Sequence, residues 1–262
     1  MITKPKGLSG FTVCKNAISL DYCIRECIES LLPVCDEVVV GEMGSDDGTL
    51  TFLLDWAAHE PKLRIVMIND WTTARGDPKW FVEALNQTRE HLKYSMMLQL
   101  DADEVLCDDE DTRGAIKRAF DNNDAIALNR LNFVRDPVSL IPENECCGKY
   151  VVRVGPSHLW LPSDEPHARG EIHLLDMAHH EPRALIYHLG FLRRRESFFA
   201  KARVVLGAFF NEFDTRLAAA ESEGTHPFEK FPWWNRLESF PAHYGYPKAV
   251  RQWMEDRGYT VP

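Results

Sequence analysis

Two short acidic segments carry residue types suited to metal and phosphate chemistry. The first, Asp101-Ala102-Asp103-Glu104, directly follows the apolar run Met97-Leu98-Gln99-Leu100. Two carboxylates two residues apart, leaving a strand through a sharp turn, can aim at a shared point, and hard oxygen donors suit Mg²⁺ or Mn²⁺. A divalent ion there could bridge two phosphates. The plainer alternative for Asp-x-Asp is a solvated turn or a helix cap. The second segment, Glu42-Met43-Gly44-Ser45-Asp46-Asp47-Gly48-Thr49, follows Val38-Val39-Val40. Glu42 at the strand end could accept hydrogen bonds from a base or ribose, whereas Ser45 or Asp47 could simply cap the helix from Thr49.

The elements that must position these groups alternate from the start. Leu8 to Cys14, Glu37 to Val40, Leu63 to Ile68 and Ser95 to Leu100 have the apolar, β-branched character of buried strands. Between them, Leu20 to Leu32, Leu50 to His59 and Lys79 to Tyr94 place apolar residues at helical spacing. Strand and helix in turn imply an α/β fold with a mostly parallel sheet flanked by helices. In such sheets ligands gather at the carboxyl ends of the strands, where helix amino termini also point. Both acidic segments lie there.

Further on the pattern loosens. Asp108 to Asn122 is expected as a helix, Ala125 to Val134 and Lys149 to Val154 as strands, and Gly155 to Gly170 as loop. Ala184 to His188 is expected as a short strand and Arg193 to Phe213 as one long helix. The segment from Glu221, rich in Pro, Trp and Tyr, is expected to pack on the main domain.

Composition bounds the answer. Of 262 residues 45% are hydrophobic, and 30 Lys+Arg against 40 Asp+Glu give a net charge of −10, which excludes a disordered chain and a generically basic nucleic-acid coat. No apolar run approaches the roughly 18 to 20 residues needed to cross a bilayer, and the start lacks a signal peptide's apolar core, so a cytoplasmic protein is expected. Seven cysteines without a CxxC pair fit reduced thiols. The five histidines from His167 to His188 match no zinc spacing. There is no GxGxxG, Walker loop or GxSxG, which removes dinucleotide oxidoreductases, P-loop enzymes and typical esterases.

Taken together, Cys14-Lys15-Asn16, Cys35-Asp36-Glu37-Val38-Val39-Val40, Gly44-Ser45-Asp46-Asp47-Gly48-Thr49 and Leu98-Gln99-Leu100-Asp101-Ala102-Asp103-Glu104, with Asn86 fifteen residues before Asp101, resemble the family-2 glycosyltransferases. The resemblance covers residues 8–106 and implies the GT-A fold, with a nucleotide-binding half at about 1–106, an acceptor half at about 107–192, and a helical, aromatic extension over 193–262. It implies a nucleoside-diphosphate sugar as donor, a UDP-sugar being favoured. Cys14 would line the base pocket, Glu42 would touch base or ribose, Asp101 would face ribose and metal, Lys15, Asp47 and Ala102 would join the donor-nucleotide site, and Asp101 with Asp103 would hold Mn²⁺ or Mg²⁺. Two departures stand out. Glu42-Met43 replaces the commoner acidic pair, and Leu85 stands where a basic residue often precedes the Asn, leaving Arg75 and Lys79 to supply that charge.

The segment Ala184-Leu185-Ile186-Tyr187-His188-Leu189-Gly190-Phe191 looks like the family's later strand, whose His completes the metal shell. Imidazole joins carboxylates around Mn²⁺ more readily than around Mg²⁺. Arg193, Arg194, Arg195, Lys201 and Arg203 form the densest positive stretch. It could neutralise the leaving diphosphate, Lys201 among its members, or be a solvated helix face. An inverting transfer needs a base, and Glu165, then Asp164, are the candidates. Phe228, Phe231, Trp233, Trp234, Tyr244, Tyr246 and Trp253 could stack on sugars or pack into the domain. The acceptor is expected to be a saccharide or another hydroxyl, a modified DNA base included. Competing readings are a sugar-nucleotide nucleotidyltransferase and a non-catalytic nucleotide- or carbohydrate-binding module.

Overall fold

The computed structural model describes residues 4–68, 79–142, 150–157, 179–204, 213–226, 228–229 and 231–262. The first half alternates as expected: β1 (Leu8–Cys14), α1 (Ile24–Leu31), β2 (Glu37–Glu42), α2 (Thr49–Ala57), β3 (Leu63–Met67), α3 (Lys79–Glu90) and β4 (Met96–Gln99). These strands pair in parallel in the order β3-β2-β1-β4. Every residue of β1, β2 and β4 is buried, as continuous apolar runs covered on both faces require. One face of α1 buries Ile24, Cys27, Ile28 and Leu31 at helical spacing, so Cys27 is a core residue. Gly48, at φ +93, caps the start of α2 in a backbone conformation that side chains resist.

The second half holds β5 (Glu104–Leu106), α4 (Glu110–Asn122), β6 (Ile126–Val134), β7 (Asp136–Leu140), β8 (Tyr150–Pro156), β9 (His179–Phe191), α5 (Arg195–Val204), α6 (Phe213–Glu223), β10 (Glu238–Ser239) and α7 (Lys248–Glu255). The sheet continues from β4 through β8, β6 and β7 to β10 with antiparallel neighbours. β9 lies off that path, parallel to β6 and antiparallel to β5. The molecule is thus an α/β protein whose central sheet is parallel where the expected nucleotide-binding half lies, with helices on its flanks.

Several elements differ from expectation for physical reasons. β9 is 13 residues long because its polar, exposed beginning pairs along β6, which hydropathy does not register. Gly155 and Pro156, expected in a loop, end β8. Of the long helix expected from Arg193 to Phe213, α5 supplies Arg195 to Val204, residues 205–212 lie outside the described residues, and Phe213 is the first residue of α6. β5 and β7 went unforeseen, one being three residues long and the other carrying Pro137.

The late aromatic residues pack inward. Trp253, Val250 and Met254 join Val105, Leu131, Phe133 and Tyr187 in one core cluster, and Phe228 and Trp233 join Phe191 and Phe198 in another. The Tyr187 hydroxyl donates to the Gly245 carbonyl at 2.8 Å and the Tyr246 hydroxyl to that of Pro137 at 2.6 Å. Phe228, Trp233 and Trp253 are therefore core residues and offer no stacking platform. The five described cysteines, Cys14, Cys23, Cys27, Cys35 and Cys107, are free and buried.

Candidate functional site

β2 and β4 flank β1 and run parallel to it, so the two acidic turns open at the same end of the sheet, one on either side of β1. The loops after β1 and β2 are stitched together. The Asn16 N–H donates to Ser45 Oγ at 2.8 Å, the Asp46 N–H to Asn16 Oδ1 at 2.9 Å, and the Ser19 N–H to Asp47 Oδ2 at 2.7 Å. Asp47 also accepts from the Thr49 N–H at 3.0 Å and the Thr49 hydroxyl at 2.6 Å. Burial raises the Asp47 pKa, but these bonds outweigh it and hold the carboxyl below its usual range. Glu42 is fully buried and accepts from the Gly44 N–H at 2.9 Å and the Ser45 N–H at 2.7 Å. Both acids thus shape the turn, which is a physical role that expected contacts to base or ribose do not account for. Cys14 pairs in register with Glu42. Burial first, then the nearby Glu42 and Asp47 carboxylates, push its thiol up. Lys15 follows it at the loop entrance.

The turn after β4 is locked at both ends. The Glu104 N–H donates to the Asp101 carbonyl, and the Asp101 N–H donates to Glu104 Oε2, each at 2.9 Å. Asp101 Oδ1 accepts from Gln99 Nε2 at 3.1 Å. Ala102 is buried, its carbonyl facing the Cys23 thiol of the α1 start. β5 leaves this turn antiparallel to β9 with Glu104 opposite His188, and the Leu189 N–H donates to the Asp103 carbonyl at 2.9 Å. That register sets the His188 imidazole beside the Asp103 carboxylate, Nε2 lying 3.7 Å from Oδ1.

Two cations hold the other carboxylate oxygen. Arg193 Nη2 donates to Asp103 Oδ2 at 2.9 Å, and Lys201 Nζ donates to the same atom. Both cations lie over the Tyr22 ring, at 4.5 and 5.0 Å from its centroid. Arg193 is fixed further by the carbonyls of Gly190 and Leu20. Burial would raise the Asp103 pKa, but Lys201, His188 and Arg193 hold the carboxyl well below its ordinary value. Lys201 is shifted down as well, first by burial and then by Arg193. One carboxylate thus serves two buried cations and stays firmly ionised, while the Asp101 and Asp103 carboxylates oppose the downward shift of Lys201.

His188 is buried, and burial foremost, with Arg130 and Lys201 adding to it, drops its pKa to about 3 against the pull of Asp103. It is neutral near pH 7. Its Nδ1 lies 2.8 Å from Asn132 Oδ1, an arrangement that puts the proton on Nδ1 and turns the Nε2 lone pair toward Asp103. Gly190 lines this space. A Cβ there would stand 2.6 Å from both Asp103 Oδ2 and His188 Nε2.

Of the residues singled out in the sequence, the structure gathers Asp103, His188 and Lys201 at one point, with Arg193 beside them. Asp101 sits on the same turn, its Oδ1 engaged by Gln99. Among the described residues no three His, Cys, Asp or Glu side chains converge as a ready cation cage; of the expected Asp101, Asp103 and His188 set, Asp103 and His188 lie side by side. Arg75, Asp164, Glu165 and the Lys79 side chain lie outside the described residues. Of the basic stretch, Arg203 pairs with Glu221, and Arg195 donates to the Gly224 carbonyl at 2.7 Å. Sequence reasoning missed Tyr22, Arg130, Asn132 and Gly190. The polar residues Asn129, Arg130 and Asn132 interrupting a buried strand were the available signal.

No family model and no curated protein sequence matches this chain. Similar solved structures include S. aureus TarS 1-349, at a TM-score of 0.46 and 15% identity over 87% of this chain and 73% of that one. The same protein in complex with UDP-GlcNAc matches at 0.46 and 16% over 86% and 73%. The mannosyltransferase PcManGT from Pyrobaculum calidifontis, in complex with GDP-Man and Mn²⁺, matches at 0.48 and 17% over 98% and 85%. At such values function has to be read from side chains. No helix among the described residues is long and apolar enough to cross a membrane.

Proposed function

We propose that this chain is a glycosyltransferase that takes a nucleoside-diphosphate sugar, a UDP-sugar by preference, and passes its sugar to an acceptor hydroxyl with inversion. The observation that carries the reading is the buried meeting of Asp103, His188, Arg193 and Lys201 at the carboxyl end of a parallel sheet. Arg193 and Lys201, paired on Asp103, are the residue types that bind a diphosphate's oxygens.

The donor set also fits a divalent ion. Asp103 Oδ1 and the His188 Nε2 lone pair lie 3.7 Å apart, and Gly190 packs against the same two side chains, where a Cβ would stand 2.6 Å from Asp103 Oδ2 and His188 Nε2. Mixed N and O donors favour Mn²⁺ over Mg²⁺. When bound, the ion would supply Lewis-acid stabilisation of the leaving diphosphate. The chain's own work is separate. Arg193 and Lys201 meet the negative charge that develops on the leaving group, in a site dry enough to strengthen that attraction. Tyr22, beneath both cations, keeps them desolvated on one side.

Inversion needs a base opposite the leaving group, and Glu165, then Asp164, are proposed for it. The proposed organisation assigns 1–192 to donor and acceptor halves and 193–262 to an extension. A saccharide is the proposed acceptor, a hydroxylated DNA base the alternative.

The test is a screen of UDP-, GDP- and dTDP-sugars for Mn²⁺-dependent hydrolysis without acceptor, repeated with Asp103→Ala. Hydrolysis of one donor that vanishes in the variant is expected. Binding of a nucleotide without any turnover would mean a binding module, and binding of none would defeat the reading.

A further inference from the structure

The site is held from behind by a single strand. In register, Asn132 of β6 lies beside His188 of β9, and His188 lies opposite Glu104 of β5, so one row across three strands carries all three polar groups. Arg130 is two residues from Asn132 and so on the same face of β6. Its Nη1 lies 3.3 Å from Glu104 Oε1, in a pair whose side chains are 7% and 0% exposed. The other oxygen of Glu104 accepts the Asp101 N–H at the head of the acidic turn. Asn132 Oδ1 meets His188 Nδ1 at 2.8 Å.

A buried ion pair is expensive to desolvate, and well-packed apolar residues in its place are often neutral or stabilising. Stability alone therefore gives a poor account of charges in a strand that otherwise carries Ile126, Leu128, Leu131 and Phe133. Their position gives a better one, because each grips a group that directly carries a member of the Asp103–His188 pair.

Resting on the donor-site reading above, we infer that Arg130 and Asn132 are positioning residues, Arg130 setting the Asp101–Asp103 turn through Glu104 and Asn132 fixing the tautomer of His188. Outer groups of this kind orient metal and phosphate ligands, and their loss typically costs about 10- to 100-fold in affinity. Asn132 differs from a packing residue in a checkable way: it specifies which imidazole nitrogen is bare.

The experiment uses the full chain without ligand, then with Mn²⁺ and UDP. Nitrogen-15 NMR of labelled histidine reads the His188 tautomer, with His188→Gln assigning the signal. Electron paramagnetic resonance titration reads Mn²⁺ affinity. The parent is expected to carry its proton on Nδ1. Asn132→Asp should keep that tautomer, whereas Asn132→Leu should lose it and weaken Mn²⁺ binding about 10- to 100-fold. Arg130→Met should weaken Mn²⁺ binding by about 10-fold or more, with Arg130→Lys restoring most of it. Should Arg130→Met fail to fold, Glu104→Gln decides in its place, parental affinity counting against the inference. A proton on Nε2 in the parent, or folded Asn132→Leu and Arg130→Met proteins with parental affinity, would overturn it. If the parent binds no nucleoside diphosphate the functional proposal fails, while the ligand-free tautomer still decides the role of Asn132.

Discussion

Replacing Asp103 by Asn probes the site at its electrostatic centre. The carboxylate side chain is 6% exposed and takes bonds from Arg193 and Lys201, whose side chains are 1% and 9% exposed. Asn keeps the shape but supplies no charge, so two buried cations lose the carboxylate they share. Removing one partner of a buried pair costs about 3–5 kcal/mol. For a chain of this size about 1 kcal/mol moves Tm by about 2–4 °C, so a fall of about 6–20 °C is expected. The loss should be partly reversible by ligand, because a diphosphate can serve the cations that Asp103 abandoned. UDP at 100 times its Kd returns about 2.7 kcal/mol. Differential scanning fluorimetry at pH 7.5, with and without UDP, reads both effects. A ligand-free variant as stable as the parent would refute the reasoning, since the buried pairing could then not exist as described.

Gly190→Ala puts a methyl 2.6 Å from His188 Nε2 and Asp103 Oδ2, and is expected to weaken Mn²⁺ affinity by about 10-fold or more, by titration, while circular dichroism stays parental. Arg257→Ala breaks the two bonds from Arg257 to Asp21, at 3.2 and 2.6 Å, that tie the chain end to the loop before α1; a loss of about 1.5–3 kcal/mol in urea unfolding is expected. His226, stacked on Trp234 at 5.0 Å, has its pKa lowered to about 4, chiefly by burial and secondarily by Arg195. Because its folded value lies below the unfolded one near 6.5, its stabilisation is complete above about pH 6.5 and is lost as pH falls toward 4. His226→Gln should flatten stability over that window by about 1–3 kcal/mol, read from urea midpoints at pH 4, 5, 6.5 and 8.

The parallel half of the fold was legible because continuous burial writes itself into hydropathy. Leu8 to Cys14 was read with its observed bounds, and the strands ending at the two acidic turns were placed correctly. The start of β9 was not legible. His179 to Arg183 are mostly exposed and form a strand through backbone pairing along β6, which leaves no side-chain pattern. The roles within the acidic turns were only half legible. Asp47 and Glu42 were readable as turn formers or as ligand contacts, and which oxygens remain available depends on where the Ser19, Gly44 and Ser45 N–H groups point. That is a property of the folded backbone.

The strongest feature of the site was split across the chain. Asp103 and Lys201 are 98 residues apart, and Asn132 and His188 are 56 apart. Each fragment alone reads as ordinary: a turn acid, a helix lysine, a strand asparagine. What joins them is register, since one residue of slip between β5 and β9 would turn His188 to the other face and leave Asp103 with two cations and no imidazole. A polar residue inside a buried strand is therefore worth more attention than an acid in an exposed turn. The turn acid has water as a ready partner, whereas the strand residue must find a partner within the protein, and in β6 that requirement leads from Arg130 to Glu104, the neighbour of Asp103, and from Asn132 to His188 itself.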